Sequence, residues 1–287
     1  MSFGRLLTAM VTAFDVEGKL DLKRQTKVIE HLIQTGTETI VVAGTTGESP
    51  TLTKDEKLTL FEHTLEVTDG RVKVIAGTGS NNTQESIALT QKAEQLGVDG
   101  VMLVTPYYNR PNQEGLYQHF KAIAESTSLP VMLYNVPGRT SVNMEAETVC
   151  RLAEIPNITM VKEASGHLGQ MTEIIKGTPD DFLLYSGDDN LTLPVLAIGG
   201  YGVVSVASHV VGREMSRMIS AFVEGNVSEA AQIHGELYPK CKALFAAPSP
   251  VPVKQVLTEL GIDVGPVRPP LVPLSESEKT HIMNYFK

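Results

Sequence analysis

Eight short apolar runs rich in β-branched residues recur along the chain at intervals of roughly 20 to 35 residues. They are LLTAMVTAF (6 to 14), TIVVAG (39 to 44), VKVIAGTG (72 to 79), GVMLVTPYY (100 to 108), PVMLYNVP (130 to 137), ITMVKEASG (158 to 166), FLLYSGDD (182 to 189) and GVVSVAS (202 to 208). Most are nearly continuous in apolar character where they begin, as expected of parallel strands covered on both faces, and they lack the alternation of a half-solvated sheet. Between the first few lie amphipathic stretches with apolar residues at helical spacing and a closing Gly, at 22 to 36, 53 to 70 and 82 to 97. Thr53 with Glu56, and Thr83 with Ser86, stand where N-caps belong. Strand, loop and helix repeated eight times predict an α/β fold, a closed (β/α)8 TIM barrel. After residue 210 helical patterns take over, at roughly 213 to 225, 228 to 246, 252 to 261 and 275 to 287, and APSPVP (247 to 252) and VRPPLVP (267 to 273) read as loops. The expected division is a catalytic barrel over 1–225 and a C-terminal helical region over 226–287.

A chain of 287 residues with 42% hydrophobic and 20% charged residues can bury a sizeable core. Its formal net charge of −9, without a basic run, speaks against nucleic acid as a partner. No apolar stretch approaches the roughly 18 residues that span a bilayer, and the N-terminus meets polar residues too early for a signal peptide, so the expected location is cytoplasmic, with no membrane partner. The two cysteines, Cys150 and Cys241, fall in helical patterns away from any metal-ligand spacing and read as reduced. GTGSNN (77 to 82) lacks the third glycine of a dinucleotide loop, and the seven histidines form no HxxH, HxxxH or HExxH pair, so neither a cofactor nor a metal is expected.

In a β/α barrel catalytic groups sit at the C-terminal ends of the strands. Those ends are unusually polar at Gly44-Thr45-Thr46-Gly47-Glu48, Tyr107-Tyr108-Asn109, Tyr134 to Arg139, Lys162-Glu163 and Gly187-Asp188-Asp189. Lys162 lies inside an apolar run that would carry its amine into the barrel mouth. A free lysine, with a pKa of about 10.4, is almost wholly protonated at neutral pH, so a nucleophilic amine needs burial or neighbouring cations. Position alone leaves a Schiff-base nucleophile and a structural lysine paired with Glu163 equally open. Tyr134 is a proton shuttle or a barrel aromatic. The Gly-Thr-Thr-Gly loop offers hydroxyls and amides to a carboxylate, or is a plain turn. Asp188 and Asp189 read as helix caps.

Taken together, GTTGES (44 to 49), TPYYNRPNQEGLYQHF (105 to 120), YNVPGRT (134 to 140), VKEASG (161 to 166) and SGDD (186 to 189) resemble the dihydrodipicolinate synthase family of pyruvate-dependent Schiff-base lyases, from TAMVTAF to about residue 254. The resemblance implies a lyase that condenses pyruvate with L-aspartate 4-semialdehyde in diaminopimelate and lysine synthesis. It makes Lys162 the nucleophile and Tyr134 the proton shuttle, linked through Thr45 to a Tyr108 contributed across a subunit interface. A homo-oligomer follows, a tetramer built as a dimer of dimers. Thr46, Gly187 and Val204 would line the pyruvate pocket, and Arg139 would hold the semialdehyde carboxylate in two-point contact.

The competing readings are a 2-keto-3-deoxy sugar-acid or N-acetylneuraminate-type aldolase, against which Arg139 argues, and a catalytically inactive sensor, against which the joint presence of Lys162, Tyr134, Thr45 and Arg139 argues. The resemblance also implies an allosteric cleft formed by Ser49, Asn81, Glu85 and Tyr107. Lysine-inhibited members carry histidines at the positions of Lys54 and Lys57. Two added cations beside the cleft would repel a ligand ammonium by about 1 kcal/mol or more per close pair, so weak inhibition by L-lysine is expected.

Overall fold

Each apolar run supplies one strand at its beginning, and in a computed structural model describing residues 3–287 these strands form a closed barrel in sequence order. They are β1 (Leu6–Ala9), β2 (Thr39–Val42), β3 (Lys73–Gly77), β4 (Gly100–Val104), β5 (Val131–Asn135), β6 (Ile158–Glu163), β7 (Leu183–Ser186) and β8 (Gly202–Ser205). The helices are α1 (Leu22–Gln34), α2 (Lys54–Thr68), α3 (Thr83–Leu96), α4 (Gln113–Ala124), α5 (Pro137–Thr140), α6 (Ala146–Ala153), α7 (Leu168–Gly177), α8 (Thr192–Ala197), α9 (Ser208–Val223), α10 (Val227–Ala243), α11 (Val251–Glu259) and α12 (Glu276–Met283). The expected α/β barrel with further C-terminal helices is therefore the observed architecture. Every strand is shorter than its apolar run, because the end of each run turns into a loop.

Packing groups the chain into two compact units, one made of the residues up to Lys73 with Ser205–Lys287 and the other of Val74–Val204. In the first, Val11 to Ala13 leave the β1 ladder while remaining buried, so their backbone groups need partners. Gln25 of α1 supplies two: its side-chain oxygen accepts from the Ala13 amide at 2.7 Å and its amide donates to the Val11 carbonyl at 3.1 Å. The Val11 amide donates to His209 Nε2 at 3.1 Å. The capping box expected at Thr53 and Glu56 is present at the start of α2. At α3 the expected cap moves by one residue. Asn82, not Thr83, is the N-cap, its side chain accepting from the Gln84 and Glu85 amides, since Asn holds the extended cap conformation and its short carboxamide reaches those amides.

A buried ion pair ties the C-terminal region to the loop after β2. Lys254 of α11 donates to Glu48 Oε1 at 2.8 Å and to the Pro266 carbonyl at 2.7 Å, while the Arg268 amide donates to Glu48 Oε2 at 2.8 Å. The Lys254 ammonium and the Arg268 guanidinium lie 4.6 and 4.2 Å from the Phe14 ring centroid. Arg268 also donates to the Gly18 and Thr51 carbonyls and pairs with Glu56. Burial pushes the Lys254 ammonium below its usual range, and Glu48 opposes that shift.

In the second unit parallel ladders bring the ends of β4 to β7 into fixed register. Val104 lies opposite Tyr134, Tyr134 opposite Lys162, and Lys162 opposite Tyr185. Successive residues of a strand face opposite sides, so residues level with one another across the ladder share a face.

Removing one member of a buried ion pair leaves the other charge uncompensated, at a cost of about 3–5 kcal/mol. Lys254→Met should therefore destabilise the protein by that order, and adding Glu48→Gln should recover part of the loss. Urea unfolding of the two single variants and the double variant at one protein concentration checks the coupling, and strictly additive losses would refute it.

Candidate active site

Lys162 is 4% exposed, and its Nζ lies 4.3 Å from the centroid of the Tyr134 ring on the neighbouring strand. Among the described residues no carboxylate lies within ion-pair distance of it. The pairing with Glu163 that the sequence left open is absent: the Glu163 side chain is engaged by Asn135, Ser165 and Gln170. The two residues are consecutive in β6, so they occupy opposite faces of the strand.

Asp188 follows β7 and faces the field of Lys162. Burial pushes its carboxyl above the usual range, while the Lys162 charge pulls it back. The capping role expected of this aspartate is not realised, because Asp188 precedes a short 3-10 turn (Asp189–Leu191) without a side-chain capping bond, and α8 begins after Leu191. At Gly187 the chain needs glycine, since a Cβ there would stand 2.6 Å from the Ala164 Cβ. Val204 is fully buried in β8. A primary amine out of water, a phenol ring against it and a carboxyl in its field form a centre able to add an amine to a carbonyl and move protons around the adduct.

Arg139 stands on the exposed turn of α5, immediately after β5. Its guanidinium makes no ion pair among the described residues, so its fork is available to a carboxylate.

Thr45 and Thr46 occupy a tight turn in the other unit. The Gly47 amide donates to the Gly44 carbonyl at 3.1 Å, the Glu48 amide to the Thr45 carbonyl at 3.0 Å, and Thr12 Oγ1 to the Gly47 carbonyl at 2.7 Å. Glu48 closes the turn in the left-handed region, with φ of 56°, a conformation that costs about 1–3 kcal/mol away from glycine and persists where surrounding bonds impose it. Those bonds come from Lys254 and Arg268. Sequence reasoning passed over this support, since 206 residues separate Glu48 from Lys254.

Tyr108 is 90% exposed at a φ of 72°, its ring projecting from the unit that carries it. The Asn81 side chain donates to the Tyr107 carbonyl at 3.1 Å, and the Tyr107 phenol is pushed up by burial and, to a lesser degree, by the charge of Glu85. Asn81, Glu85 and Tyr107 are thus drawn together. On the other unit Ser49 begins a short 3-10 turn, Lys54 opens α2 and is exposed, and Lys57 is half-buried one turn further on. Among the described residues no group of three or more His, Cys, Asp or Glu side chains could hold a metal ion, and no helix is long and apolar enough to cross a membrane.

Comparison with known proteins follows the same residues. The model of the dihydrodipicolinate synthetase family matches residues 2–287. A 4-hydroxy-tetrahydrodipicolinate synthase of Bacillus velezensis is 60% identical over 279 residues, covering 97% of this chain and 96% of that one. The crystal structure of a dihydrodipicolinate synthase from Bacillus anthracis superposes with a TM-score of 0.98 at 57% identity, covering 99% of this chain and 98% of that one. That of the enzyme from Cyanidioschyzon merolae with lysine bound superposes with a TM-score of 0.97 at 48% identity, over 99% and 97% of the two chains. A buried lysine level with a tyrosine at the mouth of an eight-stranded barrel and a whole-length match to relatives of one kind lead to one conclusion: the chain belongs to the dihydrodipicolinate synthetase family.

Proposed function

We propose that this chain is a lyase that condenses pyruvate with L-aspartate 4-semialdehyde through a Schiff base on Lys162, in the synthesis of diaminopimelate and lysine. The observation that carries the reading is the Lys162 amine, buried at a strand end with no ion-pair partner and packed on the Tyr134 ring. Its lone pair attacks the keto carbon of pyruvate, and water leaves as the imine forms. Loss of a methyl proton gives the enamine, whose carbon bonds to the aldehyde carbon while the aldehyde oxygen takes up a proton. The amine of the second substrate then displaces Lys162 and closes the ring. The net reaction releases one water.

In this reading Tyr134 moves the protons, relayed through Thr45 and Tyr108. Thr46 and its amide hold the pyruvate carboxylate, with Gly187 and Val204 lining the same pocket. The Thr45–Thr46 turn offers hydroxyls and backbone groups of the right chemistry, held by hydrogen bonds of its own. Arg139 receives the carboxylate of the semialdehyde, a role that its unpaired guanidinium supports and that a polyhydroxylated sugar acid would not use. The exposure of Tyr108 supports a homo-oligomer in which that ring completes a neighbour's site, a tetramer arranged as a dimer of dimers. Nothing in the reading calls for a cofactor, and the cytoplasm suits its substrates.

The cleft around Asn81, Glu85 and Tyr107 has partners for an amino acid: a carboxylate to meet an ammonium and an amide and phenol to meet a carboxylate. Lys54 and Lys57, with Ser49, belong to the same proposed cleft, where their charges oppose a ligand ammonium.

Lys162→Ala should abolish borohydride trapping of pyruvate and leave the fold intact, as read by mass mapping and circular dichroism, and a persistent pyruvyl adduct would remove Lys162 from the mechanism. Arg139→Ala should raise the KM for the semialdehyde at least tenfold while pyruvate capture is kept, and initial-rate kinetics with a change confined to pyruvate would contradict its role. L-Lysine should inhibit weakly, with half-inhibition above the millimolar range in a rate titration, and sub-millimolar inhibition would show that Lys54 and Lys57 leave the cleft competent.

A further inference from the structure

Glu163 is a carboxylate 0% exposed to solvent that no Lys or Arg among the described residues neutralises. Burial pushes its carboxyl above the usual range and hydrogen bonds pull it back. The donors are neutral, amide N–H groups together with the Ser165 hydroxyl. Asn135 Nδ2 lies 3.1 and 3.0 Å from the two oxygens, the Ser165 amide 2.8 Å from Oε1 and Gln170 Nε2 3.1 Å from Oε2. A buried carboxylate held in this way specifies geometry, because moving any donor leaves charge unsatisfied in a poorly polarisable interior.

One donor, Asn135, belongs to the segment that precedes Arg139, and another, Gln170, is bonded to Asn143 in the segment that follows it. Asn135 ends β5 just before the Arg139 turn, and its side chain reaches across to the residues just after that turn. Its Nδ2 donates to Asn143 Oδ1 at 2.8 Å, and its Oδ1 accepts from the Met144 amide at 3.0 Å. Asn143 Nδ2 donates to Gln170 Oε1 at 2.8 Å, and the Gln113 side chain donates to the Asn143 carbonyl at 2.9 Å. The loop from Val136 to Val142 is therefore stapled to Glu163 directly at its Asn135 end and, at its Asn143 end, through Asn135 and Gln170. Asn135 lies level with Glu163 in the β5–β6 ladder, one residue beyond the pair of Tyr134 and Lys162. Arg139 itself is exposed and makes no ion pair, so its place relative to Lys162 is set by the backbone that carries it.

We propose that Asn135 and Glu163 are positioning residues for substrate selection, fixing the Arg139 loop at the distance from Lys162 that matches a short aldehyde bearing a carboxylate. The proposal rests on the functional reading above, in which Arg139 meets that carboxylate. Neither residue touches the reacting atoms. Loosening the staple lets Arg139 sample many positions, so affinity for the carboxylated aldehyde falls while imine chemistry on the opposite face of β6 continues.

The test uses Glu163→Gln, which keeps the shape but sets an amide donor among donors, and Asn143→Ala, which cuts the far end of the staple while leaving the Asn135–Glu163 contact in place. Asn143→Ala keeps the test decisive should Glu163→Gln not fold. Each is made alone and combined with Arg139→Ala in the full-length protein. The expected result is a rise of tenfold or more in the KM for L-aspartate 4-semialdehyde, with pyruvate KM and borohydride trapping within twofold of wild type. In the Arg139→Ala background the same substitutions should add little, since the group they position is already gone. Parallel losses in pyruvate capture and semialdehyde use, or losses that add fully to Arg139→Ala, would overturn the proposal and assign the network a purely structural role. If the wild-type protein traps pyruvate but does not turn over the semialdehyde, the functional reading fails and takes the proposal with it.

Discussion

Two charged side chains stand side by side at the end of β6, and neither faces open solvent. A strand sends consecutive residues to opposite faces, so Lys162 and Glu163 cannot neutralise each other even though they are neighbours in sequence. That one constraint organises the second unit. The lysine face must receive an amine without an ion-pair partner, which it does with the Tyr134 ring against the amine and the Asp188 carboxyl in its field. On its own face Glu163 meets neutral donors drawn from β5, from Ser165 just after β6 and from α7. A slip of one residue in the β5–β6 ladder would exchange the two faces, placing the carboxylate where the amine stands and the amine against amide donors. Both burials would then be unsatisfied, so the polar partners hold the register as firmly as the apolar core does.

The first unit solves a similar problem differently. Glu48 is also buried, but it closes a left-handed turn and is met by the Lys254 ammonium and the Arg268 amide. A cation suits that place because the turn is strained and the segments that hold it come from far along the chain. A buried ion pair contributes little net stability against an apolar replacement, but it penalises every arrangement in which the two charges are apart. The gain is in conformational specificity, and its beneficiary is the backbone of Thr45 and Thr46. At Glu163 a cation would be misplaced, since a second positive charge close to Lys162 would compete for Asp188.

The eight strands and the helices between them were legible because hydrophobic periodicity is a local property, and the Thr53–Glu56 box was legible for the same reason. Strand ends were read too long. Val11 to Ala13 stay buried after leaving the ladder, and burial without strand pairing is indistinguishable from a strand in a pattern of apolar letters. Lys162 and Tyr134 could be named because a charge and a phenol in apolar runs are conspicuous. Asn135, Asn143, Gln170 and Lys254 could not, because their importance comes from contacts across 7 to 206 residues. The one local sign was the Lys-Glu dipeptide itself, since two adjacent charges within a buried strand require partners on both faces. Asp188 was misread as a cap because an aspartate before an apolar segment has the same sequence appearance whether it accepts from helix amides or lies in the field of a lysine.

The division of labour between ladder and loop follows from how each responds to error. Lys162 and Tyr134 lie in paired strands, where each residue is held by neighbours on two sides and the distance between amine and phenol varies little. Bond making is sensitive to errors of about an ångström, so the proposed chemistry belongs there. Arg139 lies on a turn outside the ladder, where, in the proposed reading, the choice of aldehyde can change by exchanging one loop while the face carrying Lys162 stays as it is. A loop free to vary in sequence is also free to move, and a carboxylate clamp that moves selects poorly. Tying one end of that loop to a buried carboxylate and the other to the amides that surround it reconciles the two demands: the residues between the ties remain exchangeable, and the path of the backbone does not.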